Sequence, residues 1–249
     1  MEQGFNPAAL LMPPDITKCK RILCVQPHPD DNEIGMGGTI AVLAKAGCEV
    51  HYLTVTKGDQ GNLDKNATPE ETAAIRRKEA EAAGGYLGAK FFHFLDYGDG
   101  TLNDPLGLSH KIARVIQEVR PDAVFGPDPW LMYESHLDHI VTGQAVSSAV
   151  NISGRNLGFG LEPVADIAIG YYFTANPNTV IDITGSFEQK FEAIALHKSQ
   201  IDATTYAMFK IYFEMKGREL AQGRGFELGE GLKVLGKIHT HCFVDAYKI

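Results

Sequence analysis

Short apolar runs alternate along this chain with longer stretches of helical spacing. Arg21 to Gln26 (RILCVQ) reads as a buried strand ending at Pro27. A Gly-rich turn follows, then helical composition from Thr39 to Ala46, closed by Gly47. Glu49 to Thr56 (EVHYLTVT) alternates and is β-branched, so it reads as a second strand. Thr68-Pro69-Glu70-Glu71 starts a helix: Thr68 caps it, Pro69 takes the first position, and Glu71 completes a capping box. That helix runs to about Leu87 and stops at Gly88. Lys90 to Leu95 and Asp122 to Gly126 read as strands three and four, with an amphipathic helix over Leu108 to Val119 between them. Ser135 can cap a helix running to about Val150. Further strands are expected at Asp166 to Phe173 and Thr179 to Ile183, and helices at Ser186 to His197 and Ala203 to Ala221. His239 to Val244 reads as a last strand.

Strands separated by helices of ten or more residues imply βαβ units, hence an α/β fold with a mostly parallel sheet flanked by helices. No linker divides residues 1–249, so one domain is expected, with residues 1–19 as an N-terminal arm. At 249 residues the chain is long enough for a sizeable core without staples. Its four cysteines, Cys19, Cys24, Cys48 and Cys242, form no CxxC pair and read as buried reduced thiols. A net charge of −8 argues against nucleic acid as a partner. No apolar stretch is long enough to span a membrane, and a cytoplasmic location is expected.

In open parallel sheets, ligands bind at the carboxyl ends of the strands. The first strand ends in Pro27-His28-Pro29-Asp30-Asp31. An imidazole and two mutually repelling carboxylates in four residues call for a compensating charge, and a divalent cation supplies it. His with Asp suits zinc best, with iron, manganese and cobalt left open. A solvated acidic turn that caps the next helix is the plainer alternative. The fourth strand leads to Ser135-His136-Leu137-Asp138-His139, where His136 and His139 share a helix face at the same sheet edge. Together the two motifs exceed the three protein ligands of a catalytic zinc site and leave groups over for acid–base work. The run Gly35-Met36-Gly37-Gly38 lacks GxGxxG spacing and follows two carboxylates. It therefore reads as close backbone packing near the metal loop, not a nucleotide site.

Residues 27–39 (PHPDDNEIGMGGT) and 135–139 (SHLDH), with the segments around Arg76, Asp99, Asp182 and His197–Gln200, resemble the PIG-L/LmbE-like zinc-dependent N-deacetylases. The similarity runs from about residue 20 to 200 and points most to the diacetylchitobiose deacetylase branch. It implies a Rossmann-like, LmbE-like fold and one zinc per subunit, held by His28, Asp31 and His139. Asp30 would be the general base, a cationic His136 would stabilise the oxyanion or act as an acid, and Asp138 would orient a histidine. Arg76 and Asp99 match positions near the sugar. Leu137 stands where the family usually has Pro. The implied activity is hydrolysis of the N-acetyl group of an N-acetylglucosaminyl sugar, releasing acetate. The alternatives are a deacylase of a thiol-sugar conjugate or another small amide, a non-catalytic metal-binding protein, and a metal phosphoesterase. Oligomers are common in the family, so a homo-oligomer, trimer or hexamer, is expected, with residues 201–249 as an extension supplying contacts.

Some readings rest on spacing alone. It offers Arg76 an exposed ion pair with Glu79, makes Asp59 a turn residue, and puts His239 and His241 on one face of the last strand. From there His241 could touch substrate. Trp130 and Tyr133 precede the second motif, where an aromatic face suits a pyranose ring.

Overall fold

The computed structural model describes residues 12–249. Of the expected N-terminal arm, residues 1–11 lie outside the described residues. The remainder includes a short 3-10 helix, Ile16–Lys18, whose Ile16 is buried in the core.

Seven strands form a sheet in the order β3-β2-β1-β4-β5-β7-β6. The strands are β1 (Arg21–Gln26), β2 (Glu49–Thr56), β3 (Phe91–Tyr97), β4 (Ala123–Pro127), β5 (Ala168–Tyr172), β6 (Thr179–Asp182) and β7 (Gly229–Leu235). Pairings from β3 through β5 are parallel, and β7 runs antiparallel to both β5 and β6. The helices are α1 (Asp31–Lys45), α2 (Pro69–Leu87), α3 (Pro105–Val119), α4 (Leu137–Ile152), α5 (Phe187–Ile194) and α6 (Ala203–Ala221). Alternate residues of β1 feed two cores. Ile22 and Cys24 pack with Ile40, Leu43 and Phe191 on one face, and Leu23 and Val25 pack with Ile112, Ile116 and Val146 on the other. Both faces are covered, as a parallel sheet requires.

Local chemistry fixes the elements that were read most closely. The Thr68 side chain accepts from Glu71 N and the Glu71 side chain reaches back, while Gly88 ends α2 at φ 103°. Three differences have physical causes. First, α1 begins at Asp31 rather than Thr39 and runs through the glycines, with a non-helical Met36 at φ −148°. Glycine disfavours a helix by roughly 1 kcal/mol each, but side chains here would collide. A Cβ on Gly35 would overlap the Tyr172 ring, and one on Gly38 would sit 2.8 Å from Ile183 Cγ2. The glycines thus serve the close backbone packing expected of them, but within a helix rather than a turn. Second, α4 is capped in position by His136, not by Ser135. Third, the last strand is β7, and residues 239–244 are not a strand. Lys237–Thr240 forms a 3-10 turn in which Gly236 N donates to His239 Nδ1 at 3.0 Å. A local side-chain bond wins there over alternation. The Gly-x-Gly opening of β7 is weak strand sequence, and the strand exists through its pairings with β5 and β6. All four cysteines are free, but only Cys24 and Cys48 are buried, whereas Cys19 is half-buried and Cys242 exposed.

Candidate active site

The order of strands reverses between β1 and β4, and at that switch point the two motifs meet. The loop after β1 is tied down from several directions. Asn32 N donates to Gln26 Oε1 (3.0 Å), Asn32 Nδ2 donates to Cys24 O (3.2 Å), and His28 N donates to Asp31 Oδ2 (2.9 Å). Asp30, at the turn into α1, adopts φ 125°. That conformation costs a non-glycine residue about 1–3 kcal/mol and survives only where surrounding bonds enforce it.

One ligand atom from each of His28, Asp31 and His139 lies within 4.8 Å of the other two. His139 Nε2 is 3.3 Å from Asp31 Oδ1, and His28 Nδ1 is 3.3 Å from Asp31 Oδ2. His28, Asp99 and His136 form a second such group sharing His28. His28 Nε2 faces both Asp99 Oδ1 and Asp138 Oδ2 at 3.2 Å. Asp138 is fully buried and also accepts from Gly100 N at 2.7 Å. The histidine that Asp138 touches is therefore His28.

Four carboxylates and three imidazoles crowd this pocket, and their mutual effects are large. Burial alone would lower His28, yet Asp138, Asp31 and Asp99 push it up to about 12. Burial would raise Asp31, but His139 and His28 hold it well below the usual carboxylate range. Burial raises Asp30 to about 6, with the Arg76 charge pulling down and the Asp31 charge pushing up. His136 is lowered by burial and by the charges of His28 and His139, so the cationic His136 expected from the sequence is disfavoured. So much convergent negative charge around imidazole nitrogens fits a divalent cation. The donor set of two histidines and one carboxylate fits zinc.

Arg76 departs from its spacing-based reading. It is 3% exposed and donates to Asp30 Oδ2 (3.1 Å), Pro29 O (2.8 Å) and Gly58 O (2.9 Å). Glu79 instead accepts from Ser199 N (2.9 Å) and Ser199 Oγ (2.6 Å). Asp59 is a turn residue with a further task, since it accepts from Asp99 N at 2.9 Å. Two other residues are not brought to the cluster. Trp130 is 66% exposed, with its ring edge-on to Tyr171 at 5.5 Å. His241 loses the strand that would have aimed it. It is exposed, with Nε2 3.5 Å from Cys242 Sγ.

Sequence reasoning missed a supporting pair. Glu33, on the first turn of α1, and His197, just after α5, are both fully buried, with Glu33 Oε2 3.3 Å from His197 Nε2. A third acidic residue following Asp30 and Asp31 at a helix start was the available signal.

The family model of the GlcNAc-PI de-N-acetylases, PIG-L, matches residues 23–150. The chain belongs to the PIG-L family. It is 36% identical over 236 residues to the diacetylchitobiose deacetylase of Thermococcus kodakarensis, covering 92% of this chain and 88% of that one. Its structure is similar to the N,N'-diacetylchitobiose deacetylase from Pyrococcus horikoshii complexed with its inhibitor MPG. The TM-score there is 0.88, at 35% identity, over 94% of this chain and 90% of that one. The 4-carboxy-2-hydroxymuconate hydratase of Pseudomonas putida matches with TM-score 0.74 at 22% identity, over 87% of this chain and 96% of that one. That likeness shows the fold alone. A hydratase on the same fold means that the reaction of this PIG-L chain must be argued from its side chains.

Proposed function

We propose that this PIG-L chain is a metal-dependent N-deacetylase of N-acetylglucosaminyl sugars such as diacetylchitobiose or N-acetylglucosamine. One observation carries the reading: His28, Asp31 and His139 converge at the β1/β4 switch point, with Asp30 beside them held by Arg76. His28, Asp31 and His139 are the residues that would hold one zinc ion per subunit. When bound there, zinc supplies Lewis acidity to the acetamide carbonyl and makes a neighbouring water acidic.

The rest of the chemistry belongs to the chain. Asp30 sits next to a ligand in sequence, and neighbouring side chains diverge, so its carboxylate is free to take a proton from the attacking water. Arg76 fixes which oxygen of Asp30 is presented. His136, with its ring centroid 4.5 Å from that of His28, donates a hydrogen bond to the oxygen that gains charge, and Asp30 hands the proton it took from the water to the departing amine. Asp138 holds the His28 ring in place. Asp99, bound at its backbone by Asp59, faces sugar hydroxyls together with the Arg76 side of the site. Trp130 and His241 keep substrate roles only if the sugar or a neighbouring subunit extends to them.

The decisive experiment is acetate release from diacetylchitobiose by zinc-loaded protein, beside Asp30→Asn. Turnover by the parent and none by a zinc-containing variant supports the reading. No acetate from any N-acetylated amino sugar defeats it.

Two coarser expectations accompany this one. Among the described residues no helix is long and apolar enough to cross a membrane, and we place the protein in the cytoplasm, tested by fractionation. Met208, Ile211, Tyr212 and Met215 are 57–68% exposed on α6. Such an apolar face supports oligomer contacts from residues 201–249. Light scattering at a monomer mass near 27.2 kDa would exclude the trimer or hexamer.

A further inference from the structure

Beside the ligand cluster, on its β7 side, lies a cavity of about 670 Å³. Asp31 and His139 form part of its wall, so it opens directly onto the reacting centre. The volume falls within the roughly 300–1,000 Å³ of small-molecule sites. An acetyl methyl group would leave most of it empty. The lining away from the cluster is mostly apolar, with Ile34, Phe173, Phe187, Phe209, Phe213 and Leu220 contributed by α1, α5, α6 and the segment after β5.

The charged residues in this wall already have partners. Glu134, beside the cluster, accepts from His136 N at 2.8 Å, and its other oxygen lies 3.6 Å from His139 Nδ1. Lys190 Nζ bonds Glu230 Oε1 at 2.7 Å and lies 4.4 Å from the centre of the Phe213 ring. The other Glu230 oxygen accepts from Thr39 N at 2.6 Å. Lys216 Nζ bonds Glu219 at 2.9 Å. A hydroxylated sugar entering here would lose hydration and gain few hydrogen bonds, whereas a hydrocarbon chain loses nothing by entering. Sugar-suited groups lie on the opposite side of the cluster, where Asp59 follows β2, Asp99 follows β3 and Arg76 reaches in from α2. An amide carbon at His28, Asp31 and His139 therefore has a polar side for the amine and an apolar side for the acyl group.

We propose that this cavity is an acyl-chain pocket through which the enzyme also hydrolyses N-acylglucosamines with acyl groups longer than acetyl. The inference rests on the deacetylase reading above and names the acyl half of its substrate. The reaction is a hydrolysis. The water oxygen bonds to the acyl carbon, the amide C–N bond breaks, and one water hydrogen ends on the amine. The other leaves with ionisation of the fatty acid, and nothing is oxidised or reduced.

The test compares N-acetylglucosamine with N-hexanoylglucosamine on zinc-loaded protein, with acetate and hexanoate quantified by chromatography. The expected kcat/KM is roughly tenfold higher for the hexanoyl compound, the scale on which a hydrophobic pocket discriminates methylenes. Ala175, exposed on the rim of the cavity, is the place to fill it. Ala175→Trp is expected to lower hexanoyl turnover about tenfold more than acetyl turnover. Calorimetry on the Asp30→Asn protein adds a readout independent of turnover. The heat-capacity change of binding should grow more negative with acyl length. Acetate release without any hexanoyl advantage overturns the pocket and leaves the deacetylase reading standing. Equal loss of both activities in Ala175→Trp, or binding indifferent to chain length, overturns it as well. Release of neither acid defeats the deacetylase reading and this inference together.

Discussion

On the β2/β3 side of the ligand cluster, Arg76 directs its guanidinium at Asp30, Pro29 O and Gly58 O, and Asp59 holds the Asp99 backbone. On the β7 side, the equally buried Lys190 is matched to Glu230 and a phenyl ring behind an apolar wall. Both sides bury an ion pair, but they differ in what it faces. Arg76 pairs with a carboxylate that borders the reacting centre, so it sets the geometry of a working group. Lys190 pairs with a carboxylate that also anchors α1 through Thr39 N, so it joins a helix to β7, next to the far edge of the sheet. Ion pairs of similar burial can thus serve positioning on one side and architecture on the other.

Asp30→Asn breaks the polar side most. It keeps the side-chain shape and removes the proton acceptor, so kcat should fall about 10²–10⁴-fold with zinc content unchanged. Steady-state kinetics beside metal analysis checks this, and a parallel loss of zinc would move Asp30 into the ligand set. Arg76→Ala is expected to come next. It leaves Asp30 buried beside Asp31 without its hydrogen-bonded counter-charge and should cost about 3–5 kcal/mol of stability. A urea titration reads it. A loss below about 1 kcal/mol would mean that water reaches Asp30 freely.

The same contrast explains which parts of the molecule were legible in the chain. The ends of β1, the whole of β2 and the cap-to-cap span of α2 follow local rules, and the structure reproduces them. His28, Asp31 and His139 carry their chemistry in their spacing, and folding brings them together. The β7 side follows no local rule. Gly35 and Gly38 read as close packing, but the helix that carries them does not read as one, because glycine is a poor helix former, and only Tyr172 and Ile183, far along the chain, show what they pack against. Strand β7 exists because β5 and β6 lie beside it. Arg76 looked exposed because spacing on a helix says nothing about what packs over its other face. Non-local contact decided all of these, and a single sequence does not contain it in readable form.

The Lys190–Glu230 pair sharpens the contrast from the architectural side. Glu230→Ala alone strands a buried ammonium and removes the acceptor for Thr39 N, for an expected loss of about 3–5 kcal/mol. Lys190→Met combined with Glu230→Gln removes both charges and retains an acceptor for Thr39 N. The double variant should recover most of that loss, because apolar replacement of a buried pair is often neutral or stabilising. Thermal melting of the two proteins gives the comparison, and diacetylchitobiose turnover should survive in the double variant. If the double variant melts as low as the single one, the pair does more than link α1 to β7.

The smallest effect expected is on the pH dependence of stability, and it comes from His197. Burial pulls the pKa of this ring down, but Glu33 at 3.3 Å, with Asp30 and Glu79 beyond, pushes it up further, leaving it above its ordinary 6.5. The folded protein therefore holds the His197 proton more tightly than the unfolded chain does. Its stabilising contribution is complete below about pH 6.5, where both states are protonated. It fades as pH rises from there through the folded value, because the unfolded chain has already released its proton. Urea titrations between pH 6 and 9 should show the parent losing stability relative to His197→Gln across that window. Parallel curves would mean that His197 is neutral in the folded state, and that Glu33 is held by something other than its charge.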